Sequence, residues 1–120
     1  MLREAENVRQ IAGEPKRRWF TDDYFDLIIW LEPDDSVWGF QLCYDLQYYQ
    51  RALTWTKKNG YRHSGVDDGE NSGTHKASPV LVADGLFDPA PTARRFEEAA
   101  AGMPRRLADF VLEKIKKFKP

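Results

Sequence analysis

Two neighbouring stretches of the chain alternate between apolar and polar residues, and a cluster of turn formers, Pro-Asp-Asp-Ser at 33–36, separates them. Alternation with a period of two is typical of strands with one buried face, so residues 24–45 are predicted to form a β-hairpin. The apolar positions predicted to share its buried face are Phe25, Leu27, Ile29, Leu31, Trp38, Phe40, Leu42 and Tyr44.

The same apolar positions predict how the two strands pair. With the turn at residues 34–35, Leu27 lies opposite Leu42 and Leu31 lies opposite Trp38. A slip of one residue would move one strand's apolar set to the other face, so this register is strongly specified.

A second hairpin is predicted to follow. Residues 51–58 alternate again, and Asn59-Gly60 is typical of a two-residue type I′ turn, which needs two residues at positive φ. This turn pairs Thr56 with His63 in a fourth strand.

Helical periodicity replaces the alternation near the C-terminus. A helix is predicted over residues 92–101, with Thr92 as its N-cap and Gly102 as its end. A second helix is predicted to begin at Pro104, a residue that suits the first turn. The apolar stripe of this second helix consists of Leu107, Phe110, Val111, Ile115 and Phe118.

Together these elements predict one α+β domain, in which C-terminal helices pack on one face of an antiparallel meander of four or five strands. Residues 1–16 are predicted to be an N-terminal arm or a short helix, residues 17–84 the sheet and residues 92–119 the helices. Within the sheet region, residues 65–78 are predicted to be a loop and the apolar run 79–83 a fifth, buried strand.

The composition is that of a soluble globular domain. The chain has 120 residues, of which 31% are charged and 42% hydrophobic, and this length suffices for one core. No apolar run approaches the roughly 20 residues of a membrane helix, and the charged start of the chain is unlike a signal peptide. The single cysteine excludes an intramolecular disulfide, so we expect a cytoplasmic protein.

The net charge of −1 conceals an asymmetry along the chain. Residues 1–19 hold five Lys/Arg and three Glu, whereas residues 20–92 hold five Lys/Arg and twelve Asp/Glu. Residues 93–120 hold eight Lys/Arg and four Asp/Glu. The basic ends are expected to form solvated faces against the acidic middle, and nucleic-acid association through the C-terminal helix is the weaker alternative.

The predicted registers bring four residues together on the second face of the sheet. These residues are Trp30, Gln41, Thr56 and His63. An aromatic ring beside small residues and a few donors and acceptors is typical of a shallow ligand-binding floor. The alternative is that the N-terminal segment, a second copy of the chain or another protein covers this face.

A cluster of potential metal ligands follows the fourth strand. It consists of His63, Asp67, Asp68, Glu70 and His75. Imidazole and carboxylate groups are zinc ligands, but the spacing matches no known helical ligand pair. Read as a calcium loop from Asp68, the sequence places Pro79 where the bidentate glutamate belongs. An acidic solvent-exposed loop is therefore the main alternative, and the sequence leaves metal binding undecided.

Other patterns of catalytic or cofactor-binding residues do not occur. The chain has neither a Gly-rich phosphate loop nor a Gly-x-Ser-x-Gly nucleophile elbow. The predicted register places Asp26 opposite Cys43, and a nearby carboxylate makes a thiol a poorer nucleophile because it raises the thiol pKa. We therefore expect no catalysis and no cofactor.

Five segments carry a resemblance to a known family. They are Arg-Arg-Trp-Phe at 17–20, Gly-Phe-Gln-Leu-Cys-Tyr-Asp at 39–45, Ala-Leu-Thr-Trp at 52–55, Val-Asp-Asp-Gly-Glu at 66–70 and Asp-Gly-Leu-Phe-Asp at 84–88. Over residues 17–118 the chain resembles a family of short bacterial proteins without an assigned activity. The resemblance implies a bacterial cytoplasmic protein and supplies no catalytic residue or cofactor.

The sequence favours a small, non-catalytic binding or interaction module. The first alternative is a small-molecule binder or enzyme that uses the second sheet face around Trp30 and His63. Because the sheet region is acidic, phosphate binding there is disfavoured. The expected partner is therefore a second copy or another protein, and not a membrane or a nucleic acid.

Overall fold

The computed structural model describes residues 1–65 and 89–118. Its six strands are β1 (Arg3–Glu4), β2 (Lys16–Thr21), β3 (Phe25–Leu31), β4 (Val37–Tyr44), β5 (Arg51–Thr56) and β6 (Gly60–Gly65). Its helices are α1 (Pro89–Ala99), a 3₁₀ turn (Ala100–Gly102) and α2 (Arg105–Lys117). Gly65, the first residue of the predicted loop at 65–78, ends β6. The rest of that loop and the predicted strand at 79–83 lie outside the described residues.

The six strands form one antiparallel meander in the order β1-β2-β3-β4-β5-β6, with the helices on one face. The predicted α+β class is therefore confirmed, with slightly more strands than expected. The predicted central registers are confirmed as well, because Leu27 pairs with Leu42, and Leu42 pairs with Leu53. All three leucines are fully buried, so the apolar alternation does align these strands.

A β-bulge in β4 changes the predicted pairing at one end of the first hairpin. Trp30 pairs with Gly39 as predicted, but Leu31 pairs with Val37 rather than with Trp38. Val37 fills the core position, with 6% of its surface exposed, and Trp38 lies on the opposite face. The prediction that Trp38 belongs to the core face is wrong, because a bulge inserts one extra residue and shifts the alternation.

The predicted register of the last hairpin is also wrong. Thr56 pairs with Gly60 across a turn at residues 57–59, so the pairing is three residues away from the predicted one. Gly60 has a φ of +71°, and the Thr56 hydroxyl accepts the backbone N–H of Asn59 at 2.9 Å. An odd shift moves every side chain of β6 to the other face. His63 therefore lies opposite Leu53, on the face that the helices cover.

The N-terminal arm contains a short strand where a helix was the alternative. β1 pairs with the end of β2, and the side chains of Glu4 and Arg18 make two hydrogen bonds of 2.7 and 2.8 Å. Further along β2, the Gln10 side-chain amide bonds both backbone groups of Arg17. These contacts occupy a strand edge that would otherwise present unpaired backbone groups.

The two helices bury the apolar stripe predicted at the C-terminus. Leu107, Val111 and Ile115 are fully buried, and the ring of Phe110 packs against Trp55 at 5.4 Å between centroids. α1 is already helical at Pro89, so Thr92 is an internal residue and not the N-cap. α1 and α2 enclose a core between themselves and the sheet. Its largest fully buried side chains are Phe20, Phe25, Phe40, Phe96, Leu27, Ile29, Leu42, Leu53, Leu107, Ile115 and Val111.

The two faces of β4 predict unequal effects of the same substitution at neighbouring positions. Leu42→Asp places an unpaired charge in the core and should cost more than about 4 kcal/mol of unfolding free energy. Gln41→Asp, on the other face, should cost about 1 kcal/mol, which is the range of strand preferences. Thermal or urea unfolding of both variants measures the difference. Equal losses would contradict the observed register.

Candidate functional site

The sheet face opposite the helices is the candidate site, and we call it the open face. In the described part of the chain no helix lies over it. The side chains on it include Arg17, Trp19, Ile28, Trp30, Trp38, Gln41, Thr54 and Arg62. All but Arg62 are partly buried by their neighbours, and Arg62 is exposed.

Aromatic side chains occupy the centre of the open face. The rings of Trp30 and Trp38 meet edge to face, with 6.2 Å between centroids and 85° between planes. Ile28 lies two residues from Trp30 on the same strand, and it pairs with Trp19 of β2. The bulge places Trp38 here, so the same feature that shortens the predicted core pattern also enlarges the apolar centre of the open face.

Several polar groups on this face are paired with one another. The indole N–H of Trp19 donates to the carboxylate of Asp26. The Thr54 hydroxyl donates to the Gln41 side-chain oxygen at 3.5 Å, and the Gln41 amide nitrogen lies 3.6 Å from the Cys43 sulfur. These are long contacts, so the Gln41 amide can exchange them for a partner's groups at little cost.

Gly39 pairs with Trp30 on the open face and is buried. A Cβ atom at this position would lie 2.7 Å from the Trp55 carbonyl oxygen and 2.9 Å from a Thr56 methyl group. Glycine is therefore needed because β5 approaches closely. Thr56 is itself only 8% exposed, and its hydroxyl serves the turn at residues 57–59. β5 therefore fills the space beside Gly39, next to Trp30 and Gln41.

The predicted four-residue site is thus only partly assembled. Trp30, Gln41 and Thr56 share the open face, whereas His63 lies on the other side of the sheet. There its Nε2 atom is 2.6 Å from the Tyr44 hydroxyl, and its ring lies 6.2 Å from that of Phe118. Binding of a ligand by Trp30 and Gln41 stays a prediction, but it would have to proceed without His63.

Cys43 lies at the other end of the open face and is 7% exposed. Burial raises the pKa of its thiol, and the nearby carboxylate of Asp26 acts in the same direction, although hydrogen bonds from Gln41 and Gln50 partly oppose them. The expectation that this cysteine is a packing residue agrees with its burial.

A separate cleft of about 730 Å³ lies where the β2–β3 turn meets α1. The guanidinium of Arg95 lies over the Tyr24 ring at 3.7 Å from its centroid, and the Asp22 carboxylate accepts the backbone N–H groups of Tyr24 and Phe25. Basic and acidic groups line the cleft together, so it selects neither anions nor cations by charge.

The proposed metal ligands other than His63 lie outside the described residues. Within residues 1–65 and 89–118, no three His, Cys, Asp or Glu side chains are arranged to hold a metal ion. No helix in the described ranges has the length and apolarity needed to cross a membrane.

Comparison with known proteins gives no further guide. No family model, no curated protein and no solved structure matches the chain.

The sequence pattern missed four residues of the open face: Arg17, Trp19, Trp38 and Arg62. For Trp19 the signal was available, since Arg17, Trp19 and Thr21 alternate in a strand beside β3. For Trp38 the signal was the neighbouring glycine, because glycine within a strand often marks a bulge. Arg62 was missed because the predicted turn was too short, which placed this residue on the other face of the sheet.

The close approach at Gly39 predicts that even the smallest side chain is harmful there. Gly39→Ala should destabilise the fold by about 1–3 kcal/mol, because the new methyl group meets backbone atoms of β5. Gly102→Ala is the matched control, since its methyl group would meet the flexible end of Met1 at 3.2 Å. Denaturant unfolding should rank the two variants clearly; a neutral Gly39→Ala would contradict the packing described.

The raised pKa and the burial of Cys43 predict that its thiol reacts slowly in the folded protein. A thiol-reactive reagent at pH 7–8 should label the folded protein far more slowly than the protein in denaturant, because the buried group resists ionisation and access. Labelling can be followed by mass. Rapid labelling under native conditions would show that Cys43 is reachable from the open face.

Proposed function

We propose that the protein is a non-catalytic interaction module that docks a protein partner on its open face. The observation that carries the proposal is the contact of Trp30 with Trp38 on a face without a helix in the described part of the chain. Soluble monomers rarely expose contiguous apolar patches unless these serve binding. Tryptophan is also among the residues that contribute most to protein interfaces.

The shape of the open face supports a protein partner over a small molecule. Small-ligand sites are concave and mostly enclosed, whereas β5 packs closely beside Gly39 and leaves no room there for even a methyl group. An apolar centre surrounded by a polar rim is the usual form of a protein interface. Here the rim consists of Arg17 and Arg62 at the sides and the paired polar groups around Gln41.

The charges near this face weigh against a nucleic acid. The turns at the ends of β3 carry Asp22 and Asp23 on one side and Asp34 and Asp35 on the other. On α2, Arg105 pairs with Asp109 at 3.5 Å and Lys117 with Glu113 at 3.1 Å, so part of the helix's positive charge is compensated. A cytoplasmic location goes with the proposal, since Cys43 is a free thiol.

The proposal can be tested by placing a photoreactive amino acid at position 38 in cells that produce the protein. We expect a discrete covalent adduct with one protein, whose mass also tells a second copy from a different partner. The control is the same amino acid at Asp109, an exposed position on α2 with 63% of its side chain accessible.

Substitution on the same face provides the energetic test. Trp30→Ala should weaken the adduct-forming complex by at least about 30-fold, because central interface tryptophans cost 2 kcal/mol or more when truncated. Asp109→Ala should leave it unchanged. Equal adducts at both positions, an adduct with nucleic acid, or no effect of Trp30→Ala would overturn the proposal.

A further inference from the structure

The outer edge of β2 is closed in two different ways. β1 pairs with its last residues, Phe20 and Thr21, and the backbone N–H of Ala5 donates to the Trp19 carbonyl at 2.8 Å. At Arg17 a side chain takes the place of a strand. The Gln10 side-chain oxygen accepts the Arg17 N–H at 2.8 Å, and its amide nitrogen donates to the Arg17 carbonyl at 3.0 Å.

This side-chain closure, which we call the Gln10 clamp, is easier to open than a strand ladder. Gln10 is exposed, so water can replace its two hydrogen bonds to Arg17. The arm that carries it turns at Asn7 and Gly13, whose φ angles are +58° and +86°. Rotation of one side chain therefore frees the outward N–H and C=O groups of Arg17 for another strand.

The chemistry of this edge selects its occupant. Lys16, Arg17 and Arg18 are consecutive, and they flank the backbone groups that the clamp covers. Arg18 already holds a carboxylate from a neighbouring strand, since Glu4 of β1 accepts two of its hydrogen bonds. Arg17 donates through Nη2 to the Arg9 carbonyl at 2.7 Å, but its buried Nε has no acceptor among the described residues.

We propose that the edge of β2 around Arg17, from Lys16 to Arg18, is a strand-addition site for an extended acidic segment of a partner protein, and that the Gln10 clamp holds it closed. Strand addition supplies affinity through backbone hydrogen bonds and specificity through alternate side chains. On the open-face side, acidic side chains opposite Arg17 provide that specificity, as Glu4 does for Arg18 on the other side. A second copy is a poor occupant, because it would place like charges in contact. This backbone edge adjoins the open face and shares Arg17 and Trp19 with it, but docking on the open face does not require strand addition, so the inference goes beyond the proposed function.

The test uses a labelled peptide of alternating Glu and Val, with an alternating Lys and Val peptide as the charge control. Binding is measured by fluorescence anisotropy with the wild-type chain, with Gln10→Ala and with Gln47→Ala. Gln47 is an exposed glutamine in the β4–β5 loop and is the matched control. We expect Gln10→Ala to bind the Glu/Val peptide about ten-fold more tightly than the other two. In this variant the peptide no longer has to displace the two hydrogen bonds between Gln10 and Arg17.

The location of binding is read from backbone amide NMR signals. The proposal expects changes at Arg17 and Trp19, weaker binding in high salt and none with the Lys/Val peptide. It is overturned if Gln10→Ala and Gln47→Ala bind alike, or if the changes centre on Trp30. It is also overturned if Gln10→Ala self-associates without peptide, since a second copy would then be the occupant. If Gln10→Ala does not fold, Gln10→Asn opens the clamp by shortening the side chain, and the same outcomes apply.

Discussion

Strand alternation decides which surface of this protein each side chain joins, and the rest of the structure depends on it. Leu27, Leu42 and Leu53 lie side by side on three neighbouring strands and are fully buried. α2 packs its own apolar stripe on this face, so a slip in any of these strands would expose leucine and bury polar groups together. Because both penalties act at once, sheet and helix fix each other's position. The open face follows from the same alternation, because the side chains that do not enter the core lie on the other side of the sheet.

The parts of the fold that could be predicted are those in which both partners of a strand pair alternate. β3, β4 and β5 meet this condition, and their central registers are as expected. β6 does not, since Tyr61, Arg62, His63 and Ser64 carry no apolar alternation that would fix a register. Only the turn signal remained, and Asn59-Gly60 fits a longer turn with Gly60 at positive φ equally well. An error of three residues then placed His63 on the wrong face.

The bulge could not be derived from hydrophobicity, because Val37 and Trp38 are both apolar and either can fill the core position. Packing decides between them. Val37 fits beneath the helices, and Gly39 lets the backbone of β5 approach to a distance that no side chain would allow. The candidate site was therefore predicted in part: Trp30, Gln41 and Thr56 were placed on one face, while the aromatic pair that distinguishes this face depends on a backbone irregularity.

The open face and the edge of β2 are not independent surfaces. Arg17 belongs to both, since its backbone lies at the edge and its side chain lies on the open face next to Trp30. A strand added at this edge would direct every second side chain onto the open face, beside Trp19. It would widen the sheet by about 4.8 Å in the direction away from Arg62. A partner with an acidic extended segment next to an apolar surface would therefore engage both regions together. Docking of its apolar surface on the open face would hold the segment close to the edge of β2 and so strengthen strand addition there.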